Sequence, residues 1–251
     1  MDGLTLYTFP PSLDSEFSRF LLRHYKVTAR EERHVIVFQS VVTLVRAGTP
    51  RIPTLRGGDA HRLDTVAKIF NYLEARAAPE RKLLTGVDPT RMAADWTDFH
   101  KVMQSASTVF PYYYLVPRRD LMVRALSEGS PAFEVEAVTR CYPAFELLLR
   151  TLLRLTAKRA AQARDTILAH LDSMDKRIAD GRPYINGDRF TLTDMSFTIA
   201  AAPAVWPDNY GGPLPPLPAT PAPLQELVAE ARQHPSGQFA LRIYRDHRDT
   251  S

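Results

Sequence analysis

Leu4-Thr5-Leu6-Tyr7-Thr8-Phe9 runs into Pro10-Pro11 and then into Ser12-Leu13-Asp14-Ser15-Glu16-Phe17-Ser18-Arg19. The first six residues are apolar, aromatic or β-branched, as strands favour, and the two prolines end sheet pairing because neither carries a backbone N–H. Leu13, Phe17, Phe20, Leu21 and His24 then recur at helical spacing, with Ser12 placed as the N-cap and Ser15 as a polar residue in the first turn. A strand that feeds directly into a capped helix opens an α/β unit.

Further along, Val35 to Phe38 reads as a second strand, which Val41, Val42 and Val45 either extend or leave for a helix. Gly48-Thr49-Pro50-Arg51 is a turn, Ile52 to Leu55 a short strand, and Gly57-Gly58-Asp59 a tight turn. From Asp64 the period becomes helical, with Val66, Ile69, Phe70 and Leu73 on one face. This succession predicts a small sheet covered by helices over residues 1–80. The two prolines, Gly86 and the charges of Ala77 to Pro89 mark residues 81–89 as a linker.

Over residues 90–251 strand signals nearly vanish. Trp96, Phe99, Val102 and Met103 start an amphipathic helix whose pattern fails at Phe110-Pro111. Between Ala144 and Asp180 one stripe is formed by Phe145, Leu148, Leu149, Leu152 and Leu155, and a second by Ile167, Leu171, Met174 and Ile178, with a bend or break near Lys158 to Gln162. Thr191 and Asp194 make a capping box before another apolar series, which should stop near Pro203 or Pro207. The prolines from Pro207 to Pro223 specify a stiff irregular connection, and Leu224 to Gln233 is the last helix before an Arg/His-rich tail.

With 251 residues, 45% of them apolar and 24% charged, the chain can bury a substantial core under an ordinary charged surface. A net charge of +4, spread over segments that also carry acids, predicts no nucleic-acid groove. No apolar run is long enough for stable membrane insertion, and no signal segment is expected at the N-terminus. Cys141 is the only cysteine, so an internal disulfide and a CxxC pair are excluded, and its apolar flanks predict a buried structural thiol. The seven histidines form no metal-ligand spacing, and there is no phosphate loop.

Two places stand out chemically. A helix N-terminus at Ser12 offers unused backbone donors and a hydroxyl, suited to an oxyanion or a thiolate, although a serine there is also an ordinary cap. Arg51-Ile52-Pro53-Thr54-Leu55 can turn a backbone edge towards a peptide ligand through a cis Pro53, and Asp64-Thr65 can cap a helix or bind an ammonium or carboxylate group. Phe9, Phe110 to Tyr114 (Tyr112 and Tyr113 included) and Trp206 offer aromatic walls for an apolar ligand, or simply core packing.

In their order and separation these pieces resemble the glutathione transferase superfamily, in a serine-type or atypical bacterial-like form. Ser12-Leu13-Asp14-Ser15-Glu16-Phe17-Ser18-Arg19 resembles its Ser/Cys-x-x-Ser/Cys-x-x-x-Arg helix start, Ile52-Pro53 its cis-proline strand, and Asp64-Thr65 with Ala67 and Tyr72-Leu73 its acidic-Ser motif. Tyr184-Ile185-Asn186-Gly187-Asp188, Phe190 and Thr191-Leu192-Thr193-Asp194 extend the likeness into the second half. The resemblance implies an α/β thioredoxin-like N-terminal domain followed by an all-helical glutathione-transferase-like C-terminal domain.

It further implies glutathione as co-substrate, with Ile52 on its cysteinyl backbone and Asp64 and Thr65 on its γ-glutamyl end. Ser12 would stabilise the thiolate, or Tyr7 in its place, while Phe9, Tyr112, Tyr113 and Trp206 would meet a small hydrophobic electrophile. A detoxifying cytoplasmic enzyme that pairs as a homodimer, with no metal or nucleotide cofactor, is the expectation. A glutathione-dependent lyase or isomerase, and a non-catalytic interaction scaffold motivated by Leu13 in place of a common proline, are the alternatives.

Overall fold

A computed structural model describes residues 3–248. The chain divides into two compact units. The first takes in the chain through Arg81 together with Arg119–Phe145 and Gly211–Pro215; the second comprises Lys82–Arg118, Glu146–Tyr210 and the chain from Pro216 on. The outermost residues of the expected domain spans, 1–2 and 249–251, lie outside the described residues.

In the first unit, β1 (Thr5–Thr8) pairs in parallel with β2 (Arg30–Arg33) and antiparallel with β3 (Thr54–Gly57), and β3 pairs antiparallel with β4 (Ala60–Leu63). The order is β2-β1-β3-β4. Helix α1 (Leu13–His24) buries Leu13, Phe17, Phe20 and Leu21 and packs against α3 (Val66–Arg76), which buries Val66, Ile69, Phe70 and Leu73. Those are the two apolar stripes read from the sequence. Gly57 is required by both its φ of 126° and its surroundings, since a Cβ there would sit 2.1 Å from the Gly3 carbonyl oxygen.

The second strand is not where the apolar run lies. Val35 to Phe38 belongs to the start of α2 (Ile36–Ala47), and the strand is the charged tetrad Arg30-Glu31-Glu32-Arg33. An edge strand tolerates this because its side chains are matched. Glu31 accepts from the Thr8 hydroxyl at 2.6 Å, Arg19 Nε at 2.8 Å and Arg33 Nη2 at 3.1 Å, and Glu32 accepts from Arg46 Nη1 at 2.6 Å. Charge along an exposed edge also discourages pairing with another chain.

Helices α6 (Arg119–Ser127) and α7 (Ala132–Arg140) belong to this same unit. α2 has no side-chain cap of its own, and the fully buried Glu134 of α7 serves instead: Oε2 accepts from Val35 N at 2.8 Å, and Oε1 lies 2.7 Å from His34 Nδ1. Cys141, expected to be buried, is exposed at the end of α7, because the buried helical positions there are Val138 and Tyr142.

The second unit is helical among its described residues, apart from an isolated bridge between Tyr184 and Gly187. α4 (Pro89–Thr97), a π-helical segment (Asp98–Met103) and α5 (Gln104–Leu115) follow without interruption, and α5 continues through the buried Pro111. α8 (Tyr142–Leu152) begins in the first unit's residues, and the helix breaks at residues 153–156, where Thr156 caps α9 (Ala157–Arg177), rather than at Lys158 to Gln162, which lies within the first turns of α9.

At the centre lies α10 (Leu192–Val205), almost every residue of which is buried, against α5, α11 (Ala222–Ala231) and α12 (Pro235–Ile243). α12 is a further helix within the stretch after Gln233 that the sequence reads as a tail, started by Pro235 in its first turn. The capping box is present: Asp194 Oδ2 accepts from Thr191 N at 2.7 Å and its hydroxyl at 2.6 Å, and Oδ1 accepts from Ile185 N at 2.7 Å. Burial raises the Asp194 carboxyl above its ordinary range, against the pull of these donors. Among the described residues no helix is long and apolar enough to cross a membrane.

Candidate functional site

The sheet register brings three of the motifs to one end of the first unit. Tyr7 lies opposite Thr54, so continuing the antiparallel pair brings Thr8 and Phe9 alongside Pro53 and Ile52. Leu55 lies opposite Leu63, so Asp64 and Thr65 emerge at that same end of the sheet.

Ser12 is the N-cap of α1: its Oγ accepts from Ser15 N at 3.3 Å and its own N–H donates to the Phe9 carbonyl at 3.1 Å. Because Oγ is already an acceptor, and no described residue takes its proton, the half-buried hydroxyl keeps a hydrogen to donate. The loop ahead of it is held on both sides. Ser15 Oγ accepts from Phe9 N at 3.2 Å, and Arg19 Nη2 donates to the Pro10 carbonyl at 3.3 Å.

Arg19 is buried and lies 2.8 Å from Glu31 and 3.4 Å from the fully buried Glu16, which also accepts from Gly211 N at 3.0 Å. Burial alone would raise the Glu31 carboxyl, but Arg19, the Thr8 hydroxyl and Arg33 outweigh it and hold it below the usual carboxylate range. The cation and its acids thus form one network behind the Ser12 loop.

The Ile52–Pro53 peptide is cis. Thr54 Oγ1 donates to the Arg51 carbonyl at 2.7 Å, whereas among the described residues nothing pairs with the backbone N–H or carbonyl of Ile52. Ile52 therefore presents a free backbone donor and acceptor.

Asp64 is 6% exposed, with Oδ2 accepting from the Thr49 hydroxyl at 3.0 Å and Oδ1 from Lys68 Nζ at 2.5 Å. The Lys68 hydrogen bond holds this carboxyl below its ordinary value against burial, with Thr49 helping. Thr65 caps α3, its hydroxyl accepting from Lys68 N at 3.2 Å. An ammonium from the chain itself therefore sits on the buried carboxylate.

Tyr7 is buried, and among the described residues no protein group hydrogen-bonds its hydroxyl. Phe9 is buried in the same unit. Tyr112 and Tyr113 lie half-buried on α5 of the second unit, and Trp206 is buried at the end of α10, its carbonyl accepting from Arg232 Nη2 at 2.8 Å. Ser15, Arg19, Glu31, Thr49 and Lys68 add to the site beyond the residues singled out by motif. Only Ser15 and Arg19 had a signal, being part of the quoted helix start.

Asp172, Asp175 and His234 also bring ligand-type atoms within 4.8 Å of one another. His234 Nδ1 lies 2.7 Å from Asp175 Oδ2, and Asp175 Oδ1 accepts from Ser236 N at 2.7 Å. This corner anchors the start of α12.

A sheet unit of this order with a helical unit built on a capped, buried central helix defines the class: the chain has the glutathione S-transferase fold. A glutathione S-transferase from Sinorhizobium meliloti 1021 is 20% identical, with a TM-score of 0.52 over 95% of this chain and 92% of its own. One from Methylobacillus flagellatus with glutathione bound is 13% identical, at 0.54 over 95% and 98%. A glutathione transferase homologue from Sulfitobacter, also with bound glutathione, is 19% identical, at 0.51 over 98% of both chains.

No family model matches the chain. Among curated proteins, a probable nicotinate-nucleotide adenylyltransferase from Corynebacterium jeikeium (strain K411) is 32% identical over 88 residues, 35% of this chain. The match spans 42% of that protein's length.

Proposed function

We propose that the chain binds glutathione at the Ser12 end of the sheet and transfers its thiol to a small hydrophobic electrophile. The carrying observation is the Ser12 hydroxyl, which gives its acceptor to Ser15 N and keeps its proton for a ligand, at a helix start on the same end of the sheet as the unpaired backbone of Ile52. In this reading the Ile52 N–H and carbonyl pair with the cysteinyl backbone. Asp64 takes the γ-glutamyl ammonium in place of Lys68, and the Thr65 region takes its carboxylate.

The Ser12 hydroxyl and the first N–H groups of α1 stabilise the thiolate, which lowers the thiol pKa without any covalent bond to serine. The sulfur lone pair then forms the bond to the electrophilic carbon, and the displaced group leaves with its electron pair or the adduct takes up a proton. Phe9, buried in the same unit, is the proposed apolar contact. Bound glutathione in two structures of the same fold supports the choice of ligand. Titration calorimetry tests it: saturable binding at millimolar glutathione or below is expected, and no heat at that concentration refutes it.

A cytoplasmic homodimer belongs to the same reading, tested by cell fractionation and light scattering. The interaction-scaffold reading draws on Val37, Val41, Leu44 and Val45, which are 47–78% exposed along one side of α2. Turnover of any electrophile in a panel, dependent on glutathione, counts against a purely structural role.

A further inference from the structure

The stretch 147–164 carries Arg150, Arg154, Lys158, Arg159 and Arg164 and no acid. Two of these are neutralised from outside the stretch: Arg150 pairs with Glu146 at 2.9 Å, and Arg164 pairs with Glu230. Among the described residues, neither Arg154 nor Arg159 has a carboxylate partner. Both line a cavity of about 430 Å³ in the second unit, within the range of small-molecule clefts.

The cavity is amphipathic. Ser105, Thr108 and Val109 of α5 form one wall, and Leu152 with the two arginines forms the other, at the turn from α8 into α9. Leu152 lies on the stripe that should be buried, and Phe145, Leu149 and Leu155 are, yet it is 58% exposed into this recess. Arg159 is fixed in place because Nη1 donates to the Leu153 carbonyl at 2.9 Å and the Arg154 carbonyl at 3.4 Å. Its remaining N–H groups are unused by the described residues, so two arginines without a carboxylate partner border a partly apolar hollow that has no acid in its lining.

We propose that this cavity binds a small amphipathic carboxylate. Its head lies between Arg154 and Arg159, where the planar forks of guanidinium suit a carboxylate's two oxygens. The apolar body lies along Leu152 and Val109, with the Ser105 hydroxyl at the polar rim. The site is independent of the glutathione reading, being built wholly from the helical unit.

The test is calorimetry of the full chain with decanoate, using decanol as the uncharged control. Arg154→Gly is the main variant: Arg154 has φ 50°, a conformation glycine adopts freely, so the turn is kept while the guanidinium is lost. Leu152→Asp, at an exposed position, is a second variant that places a negative charge in the hollow. Decanoate is expected to bind at one site, and each variant, like the switch to decanol, is expected to weaken binding roughly tenfold or more, the equivalent of about 1.4 kcal/mol. Saturating glutathione should leave decanoate binding unchanged. No decanoate binding at about 1 mM, wild-type affinity in both variants, equal affinity for decanol, or displacement by glutathione would each overturn the proposal.

Discussion

Replacing Ser12 by alanine removes a helix cap and a hydrogen-bond donor at once, and the two losses have separate readouts. Ser12 Oγ accepts from Ser15 N at 3.3 Å, so S12A should cost about 1 kcal/mol of folding stability. A domain with an ordinary stability of about 5–15 kcal/mol stays folded after that loss. The donor is worth more to a bound thiolate: a hydrogen bond to a charged group contributes about 1.5–3 kcal/mol. At about 1.36 kcal/mol per pKa unit, S12A should raise the pKa of bound glutathione by about 1–2 units.

The sign follows from the donor favouring the ionised form, so its loss leaves less thiolate at neutral pH and turnover falls roughly ten- to a hundredfold there. The ultraviolet absorbance of the thiolate, followed against pH in the saturated complex, measures the shift directly, and Ser12→Thr should restore it because the hydroxyl is retained. An unchanged thiol pKa in S12A, with a rise of that size in Tyr7→Phe, refutes the serine assignment and transfers the role to tyrosine.

Asp194→Ala strips the carboxylate from two buried backbone N–H groups and one hydroxyl, and chemical denaturation should show a loss of about 3–5 kcal/mol; under 1 kcal/mol would mean the box is incidental. Because Glu31 is held below the ordinary carboxylate range, its contribution is complete above the unfolded value and is lost as pH falls through the lower folded one. Melting temperatures of Glu31→Gln should therefore lie below wild type at neutral pH and converge with it in acid, whereas a constant gap contradicts the network. Lys68 is half exposed on Asp64, so Lys68→Met should tighten glutathione binding by about 0.5–1 kcal/mol, a few-fold in Kd by calorimetry. Weaker binding in that variant would mean Lys68 itself contacts the ligand.

Parts of this molecule written locally were legible in the sequence. Pro10-Pro11 followed by Ser12 marks the strand-to-helix turn because both the missing donors and the cap act within a few residues. Thr191 and Asp194 announced the start of α10 for the same reason. What escaped depends on pairing across the chain. β2 carries no apolar alternation because Thr8, Arg19 and Arg46 satisfy its charges, so the neighbouring apolar run of α2 was the stronger strand signal.

Glu134 completes the start of α2 from about a hundred residues away, which no local pattern reports. Helix α5 runs through Pro111 although proline removes a helical donor, because burial on both sides of it outweighs the local preference. At the site, Ser12, Ile52-Pro53 and Asp64-Thr65 were visible as short motifs. The occupation of Asp64 by Lys68 was not, because an i,i+4 pair on a helix edge reads as an ordinary surface contact until Asp64 is seen to be buried.

The central claim is that the first unit holds glutathione with its sulfur on Ser12. A crystal soaked in glutathione tests it most directly. The account predicts the thiol sulfur within hydrogen-bond reach of Ser12 Oγ, the cysteinyl backbone on Ile52, and the γ-glutamyl ammonium on Asp64 with Lys68 displaced. A soaked crystal with this end of the sheet empty, or with the sulfur lying against neither Ser12 nor the first N–H groups of α1, would contradict it.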